Sequence, residues 1–119
     1  VTASREFLEF LQDQLSDFGP VTIRRMFGGA GIFREGLMFA LVTADALYFK
    51  ADDRSSAEFV AEGLKPFEYM GKTGRQVALD YYRAPERCLD DRTELAIWAG
   101  KAHAAAVRAA ARKSPRRKY

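Results

Sequence analysis

The chain has 119 residues, 48% of them hydrophobic and 29% charged, with nine Phe, five Tyr and one Trp; this fits one globular core and lies outside the compositions of disordered chains. A single cysteine, Cys88, excludes an internal disulfide and a zinc site built on paired cysteines, and a single histidine, His103, removes the His-rich alternatives. No apolar run approaches the roughly 20 residues that span a bilayer, and the opening Val1-Thr2-Ala3-Ser4 lacks the charged-then-apolar order of a signal peptide, so the expected setting is soluble and cytoplasmic.

Between Ser4 and Phe18 the residues Phe7, Leu8, Leu11, Leu15 and Phe18 share one stripe at helical spacing. Ser4 is the expected N-cap, and Gly19-Pro20 is the stop. The period then changes to two: Val21, Ile23, Arg25 and Phe27 alternate with Thr22, Arg24 and Met26, which predicts a strand with one buried face. Arg25 occupies the apolar phase of that strand. A semi-buried charge there is expected to pair with Glu35, Glu68 or Asp80, because an unpaired one costs several kcal/mol.

Gly28-Gly29-Ala30-Gly31 reads as a bend or bulge, followed by Ile32-Phe33, a turn at Arg34-Glu35-Gly36, the run Leu37–Val42, a turn at Thr43-Ala44-Asp45 and the run Ala46–Lys50. Connections this short cannot hold a crossover helix, so the four strands are expected to form an antiparallel meander. A short helix over Ser55–Ala61 follows, capped by Asp52 or Asp53, with Phe59 and Val60 or Leu64 turned inward. Pro66–Met70 and Arg75–Tyr82 flank Gly71-Lys72-Thr73-Gly74 as a second hairpin, and a short turn or helix falls around Glu86–Leu89. Asp91-x-x-Glu94 has the form of a capping box opening a helix to about Lys113, with Leu95, Trp98, Ala102, Ala105, Ala106 and Ala109 as its apolar stripe. The expected fold is α+β, a two-layer domain with an antiparallel sheet of five to six strands and helices on one face, spanning residues 1–113 with a basic tail at 114–119.

No set of residues suits catalysis. Gly29-x-Gly31 lacks the third glycine and the following helix of a dinucleotide loop, and Gly71-Lys72-Thr73 has Pro66 where a Walker loop needs glycine. Asp45, Asp52, Asp53, Asp90 and Asp91 lie where caps and turns want carboxylates. Cys88 reads as an inert thiol and His103 as a partly exposed helix residue. No cofactor or metal is expected. The alternative, a small-molecule or enzymatic domain, would place a pocket between helix and sheet lined by Phe39, Tyr48, Tyr69 and Tyr81.

The net charge of +3 is unevenly spread: residues 95–119 hold seven Lys or Arg and no acid, leaving residues 1–94 at −4. Arg108, Arg112, Lys113, Arg116, Arg117 and Lys118 are therefore candidates for salt-dependent contact with nucleic acid. Arg24, Arg25, Gly28, Gly29, Lys50, Lys72 and Arg75 form a candidate interaction surface if the strand ends that carry them meet in space.

Arg25-Met26-Phe27-Gly28-Gly29, Gly36–Val42, Leu47-Tyr48-Phe49-Lys50, Pro66-Phe67-Glu68-Tyr69, Tyr81-Tyr82 with Pro85, and Leu95-x-x-Trp98-Ala99 together resemble the TfoX/Sxy N-terminal domain family over about Arg5 to Arg108. The resemblance implies an antiparallel sheet with flanking helices in a secretion-chaperone-like layout. It implies a non-enzymatic role in regulating DNA transformation competence, in which transcription is promoted together with an activator of the cyclic-AMP receptor type. Full-length regulators carry a second, helical domain, expected to begin where this chain ends. A homodimer through strand edges or the first helix is a further expectation.

Overall fold

The computed structural model describes residues 3–26, 28–70 and 76–113, and for 69, 70, 76–79 and 113 the backbone alone. Helix α1 runs Arg5–Gln14 and tightens into a 3-10 turn at Leu15–Asp17. It begins where predicted: Ser4 Oγ accepts the Phe7 N–H at 3.1 Å, filling one of the donors that a helix start leaves open. It ends at Gly19, whose φ of +135° few other residues tolerate and beside which the Arg34 guanidinium is packed. Leu8, Leu11 and Leu15 are buried, the stripe expected from their spacing.

Strands β1 (Thr22–Met26), β2 (Gly29–Arg34), β3 (Leu37–Thr43) and β4 (Ala46–Lys50) form the expected meander. Its second and third connections are two-residue turns with positive φ throughout, at Glu35-Gly36 and Ala44-Asp45, the geometry whose twist suits a hairpin. Helix α2 (Ser56–Ala61) leads to β5 (Pro66–Met70) and β6 (Gln76–Arg83); a 3-10 turn at Glu86–Leu89 precedes the 22-residue α3 (Arg92–Lys113). The sheet has six strands in the order β1-β2-β3-β4-β6-β5, and every neighbouring pair is antiparallel. The fold is the α+β arrangement expected from the sequence.

Each of the three helices turns one apolar stripe toward the same face of this sheet, leaving Phe10, Val60, Ile97 and Val107 exposed. Leu11, Leu15, Ile32, Phe39, Val42, Phe49, Phe59, Leu95 and Cys88 are almost wholly removed from solvent. Phe59 stacks on Tyr82 at 5.2 Å and tilts against Trp98 at 5.0 Å, joining α2, β6 and α3. The alanines of α3 serve as spacers: Ala99, Ala102, Ala105 and Ala106 are buried and let the helix approach the strands closely.

Several expectations are corrected. Gly28, at φ +79°, makes the expected bend, but Gly29, Ala30 and Gly31 are already the first residues of β2, and Gly29 passes the Val42 carbonyl so closely that a Cβ would sit 2.2 Å from its oxygen. A bulge lies further on: Ile32 faces Ala40 but Phe33 faces Met38, so Phe39 is extra and both Phe39 and Ala40 are buried. Of the two inward candidates near α2, Leu64 packs on the core while Val60 is 60% exposed. Asp91 caps α3 by accepting from Thr93 and Glu94, but Glu94 turns to Arg87 and Trp98, so only half of the capping box forms.

Arg25 is exposed, and its guanidinium donates to the Ala3 carbonyl at 2.8 Å. The expected pairing with Glu35, Glu68 or Asp80 does not form. β1 is an edge strand, so a long side chain in its apolar phase reaches past α1 into solvent, and no desolvated charge has to be neutralised.

Candidate interaction surface

The face of the sheet opposite the helices carries the most distinctive arrangement of side chains. Strand register sets one row across five strands: Arg24 opposite Gly31, Gly31 opposite Leu41, Leu41 opposite Tyr48, and Tyr48 opposite Arg83. With strands about 4.8 Å apart, the two arginines stand about 19 Å from each other, backbone to backbone, with glycine, leucine and tyrosine between them. A parallel row carries Thr22, Phe33 and Met38 on one side and Lys50 opposite Tyr81 on the other.

These side chains rest on one another. Arg24 lies 5.6 Å from the centre of the Phe33 ring, Arg83 5.9 Å from that of Tyr48, and Lys50 5.3 Å from that of Tyr81. Phe67 meets Tyr48 edge-on at 5.0 Å. Gly31 is roofed by neighbours: a Cβ there would lie 2.6 Å from Met38 Sδ and 3.1 Å from both Met26 and Phe33. Met26, Phe33, Met38, Leu41, Tyr48 and Phe67 all remain half-buried. Tyr81 is buried, and burial first, then the Asp80 carboxylate, pushes its phenol up to about 12. Among the described strand residues that point to this face none is Asp or Glu, although the chain has 16 acids.

The residues singled out from sequence are therefore divided. Arg24 and Lys50 lie on the open face and Arg25 on the other side of β1. Gly28, at φ +79°, turns the chain into β2, and Gly29 answers to the Val42 carbonyl. Lys72 and Arg75 lie outside the described residues. Arg83 is not among those singled out: the sequence pattern carries this strand only to Tyr82, and the register of Arg83 with Tyr48 is a long-range property.

At the basic end, Arg108 is committed elsewhere: its Nε and Nη2 donate to the two carboxylate oxygens of Asp52 at 2.6 and 2.9 Å. Asp52 also accepts from Arg54 N–H and from the Ser55 N–H and hydroxyl, so it organises the turn before α2. Hydrogen bonds from Arg108 above all hold its carboxyl well below the usual carboxylate range, against the opposing effect of burial. Arg112 is exposed on α3; the Lys113 side chain and Arg116, Arg117 and Lys118 lie outside the described residues.

The four residues of the alternative pocket do not converge. Phe39 is buried on the helix side while Tyr48 and Tyr81 face the other way, and the Tyr69 side chain lies outside the description. Cys88 is fully buried, and burial raises its thiol to about 12. His103 is wedged edge-on between Phe18 and Phe39 with Nε2 3.3 Å from the Arg34 carbonyl. A cleft of about 240 Å³ opens between the β3–β4 turn and Leu64, Arg83 and Leu89, and a shallow groove separates α1 from Ile23 and Arg25 of β1. Among the described residues no three His, Cys, Asp or Glu side chains gather as metal ligands, and no helix is long and apolar enough to cross a membrane.

Fold and surface together define a two-layer α+β domain with one sheet face sealed by helices and the other open, cationic and aromatic. The TfoX N-terminal domain family matches residues 13–106, and the chain belongs to that family. It is also similar to the DNA transformation protein TfoX1 of Aliivibrio fischeri, with 42% identity over 50 residues, which is 42% of this chain and 24% of that protein. The matched stretch thus spans about a quarter of that relative's length.

Proposed function

We propose that this domain is a non-enzymatic interaction module in the regulation of DNA transformation, acting in the cytoplasm on transcription through a protein partner. Family membership supports the connection to competence. The observation that carries the interaction reading is the open sheet face, where Arg24, Lys50 and Arg83 rest on aromatic rings and none of the described strand residues pointing to that face is Asp or Glu. Partly exposed apolar area rimmed by charge is the usual make-up of a protein-binding patch. The partner class suggested by the family resemblance is a transcription activator of the cyclic-AMP receptor type.

The test is a competence-gene reporter in cells lacking the chromosomal copy, complemented with the wild-type chain or with a variant of this face, alongside binding to the purified activator. A reporter that responds equally to the variant and to an empty vector supports the reading; turnover of a metabolite by the purified chain, abolished by one interior substitution, overturns it. A second reading is nucleic-acid contact through the basic end, favoured by the acid-free sequence of Arg112, Lys113, Arg116, Arg117 and Lys118, Arg108 being held by Asp52. Duplex binding across a salt series, with and without the residues beyond Ala111, tests it; undetectable binding by both forms removes DNA from the account.

A further inference from the structure

We propose that the open face receives an amphipathic α-helix of a partner protein, laid along the strands over β2, β3 and β4 with acidic residues on both flanks. The proposal rests on the regulatory reading above and names what that surface takes.

Geometry sets the width. A helix with its side chains is about 10–12 Å across, and β2 to β4 span about 10 Å at normal strand spacing. A helix seated there covers Gly31, Leu41 and Tyr48, and leaves Arg24 on β1 along one flank and Arg83 on β6 along the other. The seven residues of β3 give a bed about 23 Å long, which about 15 helical residues match at 1.5 Å each. Over Gly31 the bed is filled by Met26, Met38 and Phe33, and the two methionines are adaptable enough to repack around an inserted apolar side chain.

Charge selects the occupant. The face carries Arg24, Lys50 and Arg83 without a described acid at its strand positions, so it repels cations and attracts carboxylates. A second copy of this chain, docked face to face, would oppose the same cations and is disfavoured for that reason. Nucleic acid suits the arginines, but the rings of Phe33 and Tyr48 already carry Arg24 and Arg83, and Gly31, Leu41 and Met38 between them offer no stacking plane. Helix-in-groove recognition, in which apolar anchors sit in the bed and carboxylates pair at its margins, uses every element of the arrangement.

The experiment uses the full chain and a labelled 15-residue probe peptide with leucines along one helical stripe and glutamates on both flanks. Glutamine-flanked and lysine-flanked versions and a thymidine oligonucleotide serve as comparisons. Fluorescence anisotropy should show the glutamate peptide binding at least tenfold more tightly than the glutamine one. Arg24→Glu and Arg83→Glu should each weaken it about tenfold, and the double variant should prefer the lysine peptide. Arg5→Glu, on the helical side, should change nothing, and Tm values should show that all variants fold. Amide shifts on peptide addition should centre on Gly31, Leu41 and Tyr48.

No binding of the glutamate peptide, equal binding of the three peptides, tighter binding of the oligonucleotide, or shifts centred on α1 or α3 would each overturn the proposal. Failure here with a reporter that still depends on the domain removes this face and leaves the regulatory reading. A reporter indifferent to the domain removes the regulatory reading itself.

Discussion

Replacing Arg108 with methionine keeps most of its aliphatic bulk and removes the guanidinium from Asp52. The carboxylate left behind is 5% exposed and still charged at neutral pH, whereas the Arg108 side chain is 28% exposed. Breaking a fully buried pair costs about 3–5 kcal/mol. Here the loss is reduced to about 2 kcal/mol, because solvent reaches the arginine and Asp52 keeps its bonds from Arg54 and Ser55. Unfolding entropy of about 2.1 cal/mol/K per residue amounts, over 119 residues, to about 0.25 kcal/mol/K, so Tm should fall by about 8 °C. Acid sensitivity supplies a second readout. Asp52 has a folded-state pKa depressed below the ordinary value, so its contribution is fully present above about pH 4 and is lost as pH falls toward the folded value. Wild type should therefore lose more stability than Arg108→Met between pH 5 and 2, and the gap between them should narrow. Thermal melts followed by circular dichroism across that range provide the assay. A Tm shift below about 2 °C at pH 7, or parallel acid profiles for the two proteins, would refute the assignment of Arg108 to a structural pair.

Four further outcomes are expected. Gly29→Ala should destabilise by about 2–3 kcal/mol in urea unfolding, because the added methyl meets the Val42 carbonyl and backbone cannot step aside, whereas Gly100→Ala, in open space within α3, should stabilise by about 1 kcal/mol. Phe59→Ala should cost about 3–5 kcal/mol by emptying the ring stack with Tyr82 and Trp98, and the loss of near-ultraviolet Trp98 dichroism at lower denaturant would report it. Cys88 should resist a thiol reagent at pH 8 in the native state and react at the rate of global opening; fast labelling without unfolding would contradict its burial.

Much of the architecture follows from short-range physics. Ser4, Gly19-Pro20 and the Leu8, Leu11, Leu15 spacing suffice to place α1, because capping, helix breaking and a 3.6-residue stripe are properties of neighbouring residues. Connections too short for a crossover require the antiparallel meander of β1 to β4. The family also leaves its trace in short motifs, which residues 13–106 carry.

The candidate surface is a different matter. Arg24 and Arg25 are adjacent in the chain, and period two sends them to opposite faces of an edge strand; which face the helices would seal depended on packing all six strands. Arg83 joins Arg24 only because β6 inserts between β4 and β5 and brings it level with Tyr48. Arg108 looked free for nucleic acid until folding set Asp52 beside it, 56 residues away in sequence. Composition and periodicity act within a few residues of each other and so determine elements, caps and class. Strand order, register and the partners of long cationic side chains depend on contacts between distant segments, and those were decided by the tertiary structure alone.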